Sequence, residues 1–216
     1  MDRPHHPVAG RIIVSDACVS EGAEWLARAE PRFAAALAET GPLPLRRAPD
    51  GFEHLLNAIV SQQVSVASAR AIRGRLAAAG MTTPEAIRAT DADGLRALGL
   101  SRQKATYARA LAEAEIDFAA LRDAPTDVVV ATLTSVKGIG VWTAEIYAMF
   151  SLGRADVFAP GDLALQEGAR LLFALPGRPK ERALRDMATA WSPWRSVAAR
   201  ALWAYYHVAK DREGVA

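Results

Sequence analysis

The sequence predicts an all-α protein, a compact bundle of helices in two lobes. The chain has 216 residues, which is enough for one domain or for two small lobes that share a core. Roughly a fifth of the residues are alanine, the residue with the highest helix propensity. Runs of β-branched residues, which favour strands, are few. The only strand-like run, residues 11–14, is too short to predict a sheet.

The helices follow from the spacing of apolar residues and from capping signals. The first pattern spans residues 21–40, and Pro31 lies inside it at a position typical of the first turn of a new helix. Residues 41–49 contain several prolines and predict a linker. Later helices are predicted at residues 52–59, 65–79, 91–98, 101–115, 126–133, 141–151, 160–173, 180–190 and 192–207, with one more starting at Thr83 before Pro84.

This order of helices predicts three parts of the chain. Residues 1–48 form an N-terminal segment that packs with the C-terminal lobe. Residues 49–160 form a central helical domain, with two helices joined by a tight hairpin at about residues 126–151. Residues 161–216 supply the helices that complete the second lobe.

The composition excludes several classes of protein. No apolar run reaches the roughly 18 residues that would cross a bilayer, and residues 1–7 lack the apolar core of a secretory signal. The single cysteine, Cys18, excludes an internal disulfide, a four-cysteine zinc site and a cysteine-ligated iron–sulfur cluster. We therefore expect a cytoplasmic protein with no membrane partner. Lys and Arg total 26 and Asp and Glu total 24, which gives a net charge of +2. Because this balance does not by itself indicate a polyanionic partner, any surface that binds nucleic acid must be a local cluster of positive charge.

The most informative motif is the turn Gly138-Ile139-Gly140 between two predicted helices. Its glycines permit positive φ and a close approach of the backbone to another surface, while Ile139 can pack inward. The N-terminus of the next helix, where Thr143 lies, favours a phosphate oxygen, and Lys137 adds positive charge. The pattern resembles a helix-hairpin-helix motif, and this resemblance implies contact with the DNA backbone without readout of base sequence. The alternative is a tight turn between two core helices.

A second motif, Pro160-Gly161-Asp162, follows Trp142 at an interval of 162 − 142 = 20 residues. Taken alone, Asp162 reads best as the cap of a helix. Together with the hairpin, however, it resembles the helix-hairpin-helix (HhH-GPD) DNA glycosylase superfamily, and most closely its 3-methyladenine DNA glycosylase II branch. The resemblance extends over roughly residues 45 to 207. It rests on the segments 59–66, 98–105, 133–144, 157–164 and 194–203, which occur in the family's order.

The resemblance implies an active-site cleft between the lobes, with Asp162 as the catalytic carboxylate. The deoxyribose gains positive charge when the base leaves, and a carboxylate near C1′ stabilises that charge and orients the attacking water. The implied activity is hydrolysis of the N-glycosidic bond of alkylated bases such as 3-methyladenine, which leaves an abasic site for base excision repair. The implied partner is double-stranded DNA that contains damaged bases. We expect the protein to act as a monomer close to the nucleoid.

Two features of the family's pattern indicate that the enzyme is monofunctional. Relatives that also cleave the DNA backbone carry a lysine at the second position after the last hairpin glycine, and Trp142 lies there. The C-terminal cysteine cluster of the iron–sulfur branches is missing. No cofactor is therefore expected. The resemblance also implies that a sodium or potassium ion can bind at the hairpin through the carbonyls of Thr134, Val136 and Ile139.

The residues that would receive the damaged base also follow from the resemblance. Trp142, Trp203, Ile146 and Gln62 match positions of the base pocket, where aromatic rings stack on electron-poor alkylated bases. Gln63 matches the residue that wedges into the base stack when the nucleotide rotates out. Each tryptophan also fits an ordinary core position, and Gln63 also fits a polar kink between two helices.

Three other functions remain open at this point. The chain could be a DNA-binding module that kept the hairpin and lost the chemistry. It could be a glycosylase with lyase activity that uses another amine. It could also be a glycosylase for deaminated or mismatched bases, whose machinery would look the same in the sequence.

Overall fold

The computed structural model describes residues 9–212 as a helical structure. Over this range it contains no strand, only an isolated antiparallel bridge between Ile12 and Arg154. The predicted all-α fold is therefore confirmed. The expectation drawn from residues 1–7 lies outside the described range. Among the helices at residues 9–212, none has the length and apolarity needed to span a membrane.

The helices of the described range are, in order, α1 (Asp16–Ala29), α2 (Pro31–Thr40), α3 (Phe52–Ser61), α4 (Val66–Ala78), α5 (Pro84–Ala89), α6 (Ala92–Ala97), α7 (Arg102–Glu113), α8 (Phe118–Asp123), α9 (Thr126–Thr134), α10 (Val141–Phe150), α11 (Leu163–Leu172), α12 (Glu181–Ala188) and α13 (Arg195–Arg212), with a 3-10 turn at Thr189–Trp191 between the last two. The pattern at residues 21–40 forms two helices, since Glu30 is extended and Pro31 starts α2. Helix α8 was not predicted from the sequence, because its six residues are too few to show a helical period.

The chain divides into two compact units. The central unit comprises Ala48–Tyr147, and the terminal unit comprises residues 9–47 and 148–212 of the described range. Residues 148–160, which the predicted ranges placed in the central domain, thus belong with the terminal unit. The backbone explains this, because the Ile13 N–H donates to the Gly153 carbonyl at 2.7 Å and the Ala155 N–H donates to the Arg11 carbonyl at 2.9 Å.

Helix α13 is the centre of the terminal unit and packs on α1, α2 and α11. Residues 196–203 of this helix are buried, and the ring of Trp191 meets Phe33, Phe158 and Phe173 at centroid distances of 5.4–5.7 Å. In the central unit, α7 packs on α3, α5 and α6, and α3 also packs on α4. These cores fix the positions of the turns that carry the predicted site residues.

Candidate active site

The predicted hairpin is formed by α9, a turn at residues 135–140 and α10. Val136 and Ile139 are each only 4% exposed, so the apolar residues of the turn do pack inward. Gly138 has a φ of +99°, and a Cβ there would overlap the ring of Tyr107 on α7. Glycine is required at this position for both reasons.

The opposite side of the hairpin faces solvent. Lys137 and Gly140 are exposed, and a Cβ built on Gly140 would meet no atom within 4 Å. The first backbone hydrogen bond of α10 runs from the Ala144 N–H to the Gly140 carbonyl at 3.1 Å. The N–H groups before Ala144 therefore lie outside the series of hydrogen bonds within the helix. Thr143 is half-buried in this first turn. The arrangement presents backbone donors and a positive charge on one exposed face, which suits a phosphate.

Two neighbouring glutamines at the end of α3 point to different surroundings. Gln62 donates its Nε2 to the carbonyl of Gly138 at 3.0 Å and so ties α3 to the hairpin turn. Gln63 has a φ of +54° and an exposed side chain. The predicted wedge residue is therefore accessible, and its neighbour helps to fix the hairpin.

A groove of about 570 Å³ lies between the α3–α4 turn and the hairpin. Gln63, Gly140 and Tyr107 line it together with Lys104. The Lys104 side chain is buried, and its Nζ donates to the carbonyl of Val60 at 2.7 Å. Burial lowers the pKa of the Lys104 ammonium. This hydrogen bond connects α7, which carries Lys104, to the C-terminal end of α3 within the central unit.

Three of the four predicted base-pocket residues line one cavity of the central unit. Trp142, Ile146 and Gln62 enclose a largely apolar space of about 210 Å³ together with His54 and Tyr147. The Trp142 side chain is 47% exposed, which is unusual for a tryptophan that serves only as core. The cavity therefore has an accessible aromatic wall.

Sequence reasoning missed the polar cluster behind this cavity. The Tyr147 hydroxyl donates to Asp50 and accepts the Gly51 N–H at 3.0 Å, while Arg122 Nε binds the second Asp50 oxygen at 2.6 Å. Burial, and then the hydrogen bond with Asp50, raise the pKa of the Tyr147 hydroxyl. The separations of 72 and 97 residues hide this cluster from any local pattern. The Asp50-Gly51 pair before a helix was the only signal available.

Asp162 is the N-cap of α11 in the terminal unit. Its Oδ1 accepts the N–H groups of Ala164 at 2.9 Å and Leu165 at 3.0 Å, and it also accepts Trp203 Nε1 at 3.2 Å. The Asp162 side chain is half-buried. The carboxylate is therefore held in one orientation by three donors.

Trp203 differs from the other predicted pocket residues, because it belongs to the terminal unit. It is only 8% exposed, and its ring lies 5.8 Å from that of Phe150. Its indole N–H serves the carboxylate of Asp162. Within the terminal unit, the indole of Trp203 therefore helps to orient the side chain of Asp162.

The predicted cation ligands lie at the end of α9 and in the hairpin turn. The Val136 carbonyl accepts the Ile139 N–H at 3.0 Å and keeps a second lone pair. Neutral carbonyl oxygens, such as those of Thr134, Val136 and Ile139, suit a monovalent cation, so the donor set fits such an ion. Across residues 9–212, no cluster of three or more His, Cys, Asp or Glu side chains could hold another metal.

Comparison with known proteins identifies the family of the chain. Residues 56–193 match the family model described as HhH-GPD superfamily base excision DNA repair protein. The DNA-3-methyladenine glycosylase 1 of Schizosaccharomyces pombe is 34% identical over 161 residues, which are 70% of this chain and 71% of that protein.

Two solved structures are similar over most of the chain. The DNA-3-methyladenine glycosidase of Bacillus halodurans has a TM-score of 0.78 and 34% identity, covering 84% of this chain and 87% of its own. The S. pombe 3-methyladenine DNA glycosylase Mag1, in complex with abasic DNA, has a TM-score of 0.72 and 29% identity, covering 85% and 95%. The family model spans the helix-hairpin-helix and Asp162, so the chain belongs to the HhH-GPD superfamily of base excision DNA repair proteins.

Proposed function

We propose that this protein is a DNA glycosylase that hydrolyses the N-glycosidic bond of alkylated bases, of the 3-methyladenine type, in double-stranded DNA. The relatives that are named for this activity, one of them solved with abasic DNA, support the substrate class. The observation that carries the proposal is the Asp162 carboxylate, which two backbone amides and the Trp203 indole hold in one orientation.

The proposed chemistry takes place at C1′ of the extruded nucleotide. The bond between C1′ and the base nitrogen breaks, and its electron pair leaves with the base, which neutralises a cationic alkylated base. The carboxylate of Asp162 stabilises the oxocarbenium character of the sugar. A water oxygen then bonds to C1′, and its proton passes to a carboxylate oxygen that Asp162 presents. The products are a free base and an abasic site.

The other residues position the DNA for this step. The exposed face of the hairpin, with Lys137 and the amides at Gly140, binds backbone phosphates. Gln63 enters the base stack in place of the extruded nucleotide, because its side chain is exposed on a turn that Gln62 holds against the hairpin. The cavity walled by Trp142 receives the base, since an electron-poor base stacks well on an indole. A sodium or potassium ion bound by the hairpin carbonyls would stiffen the turn.

The proposal also includes the absence of lyase activity. A Schiff base needs a lysine amine that can reach the sugar. Trp142 occupies the position after the hairpin where a lyase lysine would lie, and Lys104 is buried against the carbonyl of Val60. We further propose that the enzyme acts as a monomer in the cytoplasm, near the nucleoid.

The test is base release from a methylated duplex by the wild type, Asp162→Asn and a matched control, Asp91→Asn. Asp91 also caps a helix, since its Oδ1 accepts the Gly94 N–H at 2.7 Å, and it lies on α6 of the central unit. We expect Asp162→Asn to lose at least about a hundredfold in rate, the scale of one lost electrostatic contact to the transition state. Its affinity for the duplex should stay within about twofold, and Asp91→Asn should match the wild type.

Two outcomes would overturn parts of this proposal. Full base release by Asp162→Asn would reject the catalytic role, and wild-type binding without any base release would favour a DNA-binding module. Borohydride added during the reaction should trap no covalent protein–DNA adduct. A trapped adduct would reject the monofunctional assignment.

A further inference from the structure

The apolar cavity of the central unit has polar groups on its wall, and most of them are already engaged. The Ser61 hydroxyl donates to the Asn57 carbonyl at 2.8 Å, and Gln62 Nε2 donates to the Gly138 carbonyl. The Tyr147 hydroxyl donates to Asp50 and accepts the Gly51 N–H. None of these donors remains available to a ligand without breaking a contact of the fold.

His54 is different, although it lines the same cavity. Within the described range, no hydrogen bond to its imidazole is found, and its one ring contact is with Tyr147, at a centroid distance of 6.0 Å and a tilt of 43°. The side chain is half-buried, so its nitrogens are neither fully solvated nor satisfied by protein. The imidazole nitrogens are therefore available to hydrogen-bond a ligand in the cavity.

Besides Trp142 and Thr143, the remaining lining residues distinguish ligands only by size. Leu55, Ala58 and Ile146 are apolar, and an apolar pocket distinguishes ligands of similar shape by modest factors. A hydrogen-bonding group that would be left unpaired rejects the wrong ligand far more strongly. A neutral imidazole offers one donor and one acceptor, which match the ring nitrogens and exocyclic groups of a purine.

We propose that His54 is a specificity-determining residue of this cavity, where its imidazole hydrogen-bonds the edge of the extruded base. It thereby favours bases with a matching donor or acceptor over bases of the same size that lack one. This inference rests on the proposed function, because it takes the cavity as the site of the damaged base.

The electrostatics around His54 agree with a neutral imidazole. Burial lowers the pKa of His54, and the charge of Asp50 opposes this shift only in part. Asp50 is itself paired with Arg122. A neutral imidazole does not repel a cationic alkylated base, whereas an imidazolium would.

The test compares His54→Leu and His54→Gln with the wild type and with His207→Gln. His207 is exposed on α13 and contacts the ring of Tyr206, so its replacement is the control. Single-turnover base release is measured on duplexes that carry 3-methyladenine, 7-methylguanine or hypoxanthine. We expect His54→Leu to change the ratio of rates between lesions by about tenfold, the scale of one hydrogen bond. His54→Gln, which keeps a donor and an acceptor, should restore part of the ratio.

The outcomes separate this inference from the proposed function. If His54→Leu keeps the wild-type ratios within twofold, or lowers all rates equally, the specificity role is wrong. If His54→Leu does not fold, as judged by circular dichroism, His54→Gln carries the comparison and must still change the ratios.

If the wild type releases no base, the proposed function fails, and NMR then decides the inference. Free 3-methyladenine should shift the imidazole resonances of His54, assigned by their loss in His54→Gln, and leave those of His207 unchanged. The absence of such a shift would overturn the inference.

Discussion

At the scale of single residues, Asp162 combines a structural task with the proposed chemical one. Its Oδ1 caps α11 through two backbone amides and also accepts the indole N–H of Trp203. The cap and the proposed catalysis need different properties of the side chain. The cap needs an oxygen acceptor, which asparagine also has, whereas stabilisation of the sugar cation needs negative charge.

This difference predicts that stability and activity respond separately at position 162. Asp162→Asn should change the free energy of unfolding by less than about 0.5 kcal/mol, because the amide oxygen still accepts the Ala164 and Leu165 N–H groups. Asp162→Ala should lower it by about 1 kcal/mol, because those amides lose their acceptor. Urea denaturation of both variants checks this. Equal loss of stability in the two would show that charge, rather than an acceptor, holds the cap.

At the scale of elements, the hairpin between α9 and α10 has two glycines that serve different purposes. Gly138 faces the protein interior, with a positive φ and no room for a Cβ beside Tyr107. Gly140 faces open space and does not have a positive φ. The first is required by the fold, and the second only by a partner that comes close to the backbone.

Alanine at each position should therefore give a different result. Gly138→Ala should lower the free energy of unfolding by about 1–3 kcal/mol, because it adds backbone strain and a clash. Gly140→Ala should leave stability within about 0.5 kcal/mol of the wild type but weaken binding to a duplex. Thermal melts and fluorescence anisotropy with labelled DNA measure the two effects. Wild-type affinity in a folded Gly140→Ala variant would contradict a role of this face in DNA binding.

At the scale of the whole molecule, the terminal unit joins segments that are far apart in the chain. The guanidinium of Arg200 on α13 donates to the carbonyl of Leu45 at 2.9 Å. Burial lowers the pKa of Arg200 to about 10. Further along, Arg195 binds Asp156 through Nε at 2.6 Å and Nη2 at 3.0 Å, and Ser192 donates to the same carboxylate at 2.8 Å.

The pair of Asp156 and Arg195 should make stability depend on acid pH. Burial alone would raise the pKa of the Asp156 carboxyl, but the hydrogen bonds from Arg195 and Ser192 outweigh it and hold that pKa below its ordinary value. The folded state therefore binds this proton less readily than the unfolded chain. The stabilisation is complete well above the ordinary pKa of about 4 and is lost as the pH falls through the lower folded value.

Asp156→Asn should thus lower the free energy of unfolding at pH 7 by about 1–2 kcal/mol and reduce its decline towards acid pH. The control is Asp93→Asn, whose exposed pair with Arg96 should contribute almost nothing. Urea denaturation from pH 7 to pH 3 makes the comparison. If the free energy of unfolding of Asp156→Asn declined towards pH 3 as steeply as that of the wild type, other carboxylates would set the pH dependence.

The sequence by itself determined most of the helices, the hairpin turn and the number of residues between that turn and Asp162. These features depend on local signals, namely apolar spacing, capping residues and glycines. The short helix α8 gave too brief a pattern to detect. The association of residues 148–160 with the terminal unit was equally invisible, because it depends on backbone pairing with residues 11–13.

Only the tertiary structure decided which side chains meet. It placed Trp142 and Ile146 with His54 around one cavity and turned the indole of Trp203 towards Asp162. It also assembled the cluster of Asp50, Arg122 and Tyr147, whose members lie up to 97 residues apart. Local propensity says nothing about such contacts, because their free energy arises from burial and hydrogen bonding between segments that only the packed chain brings together.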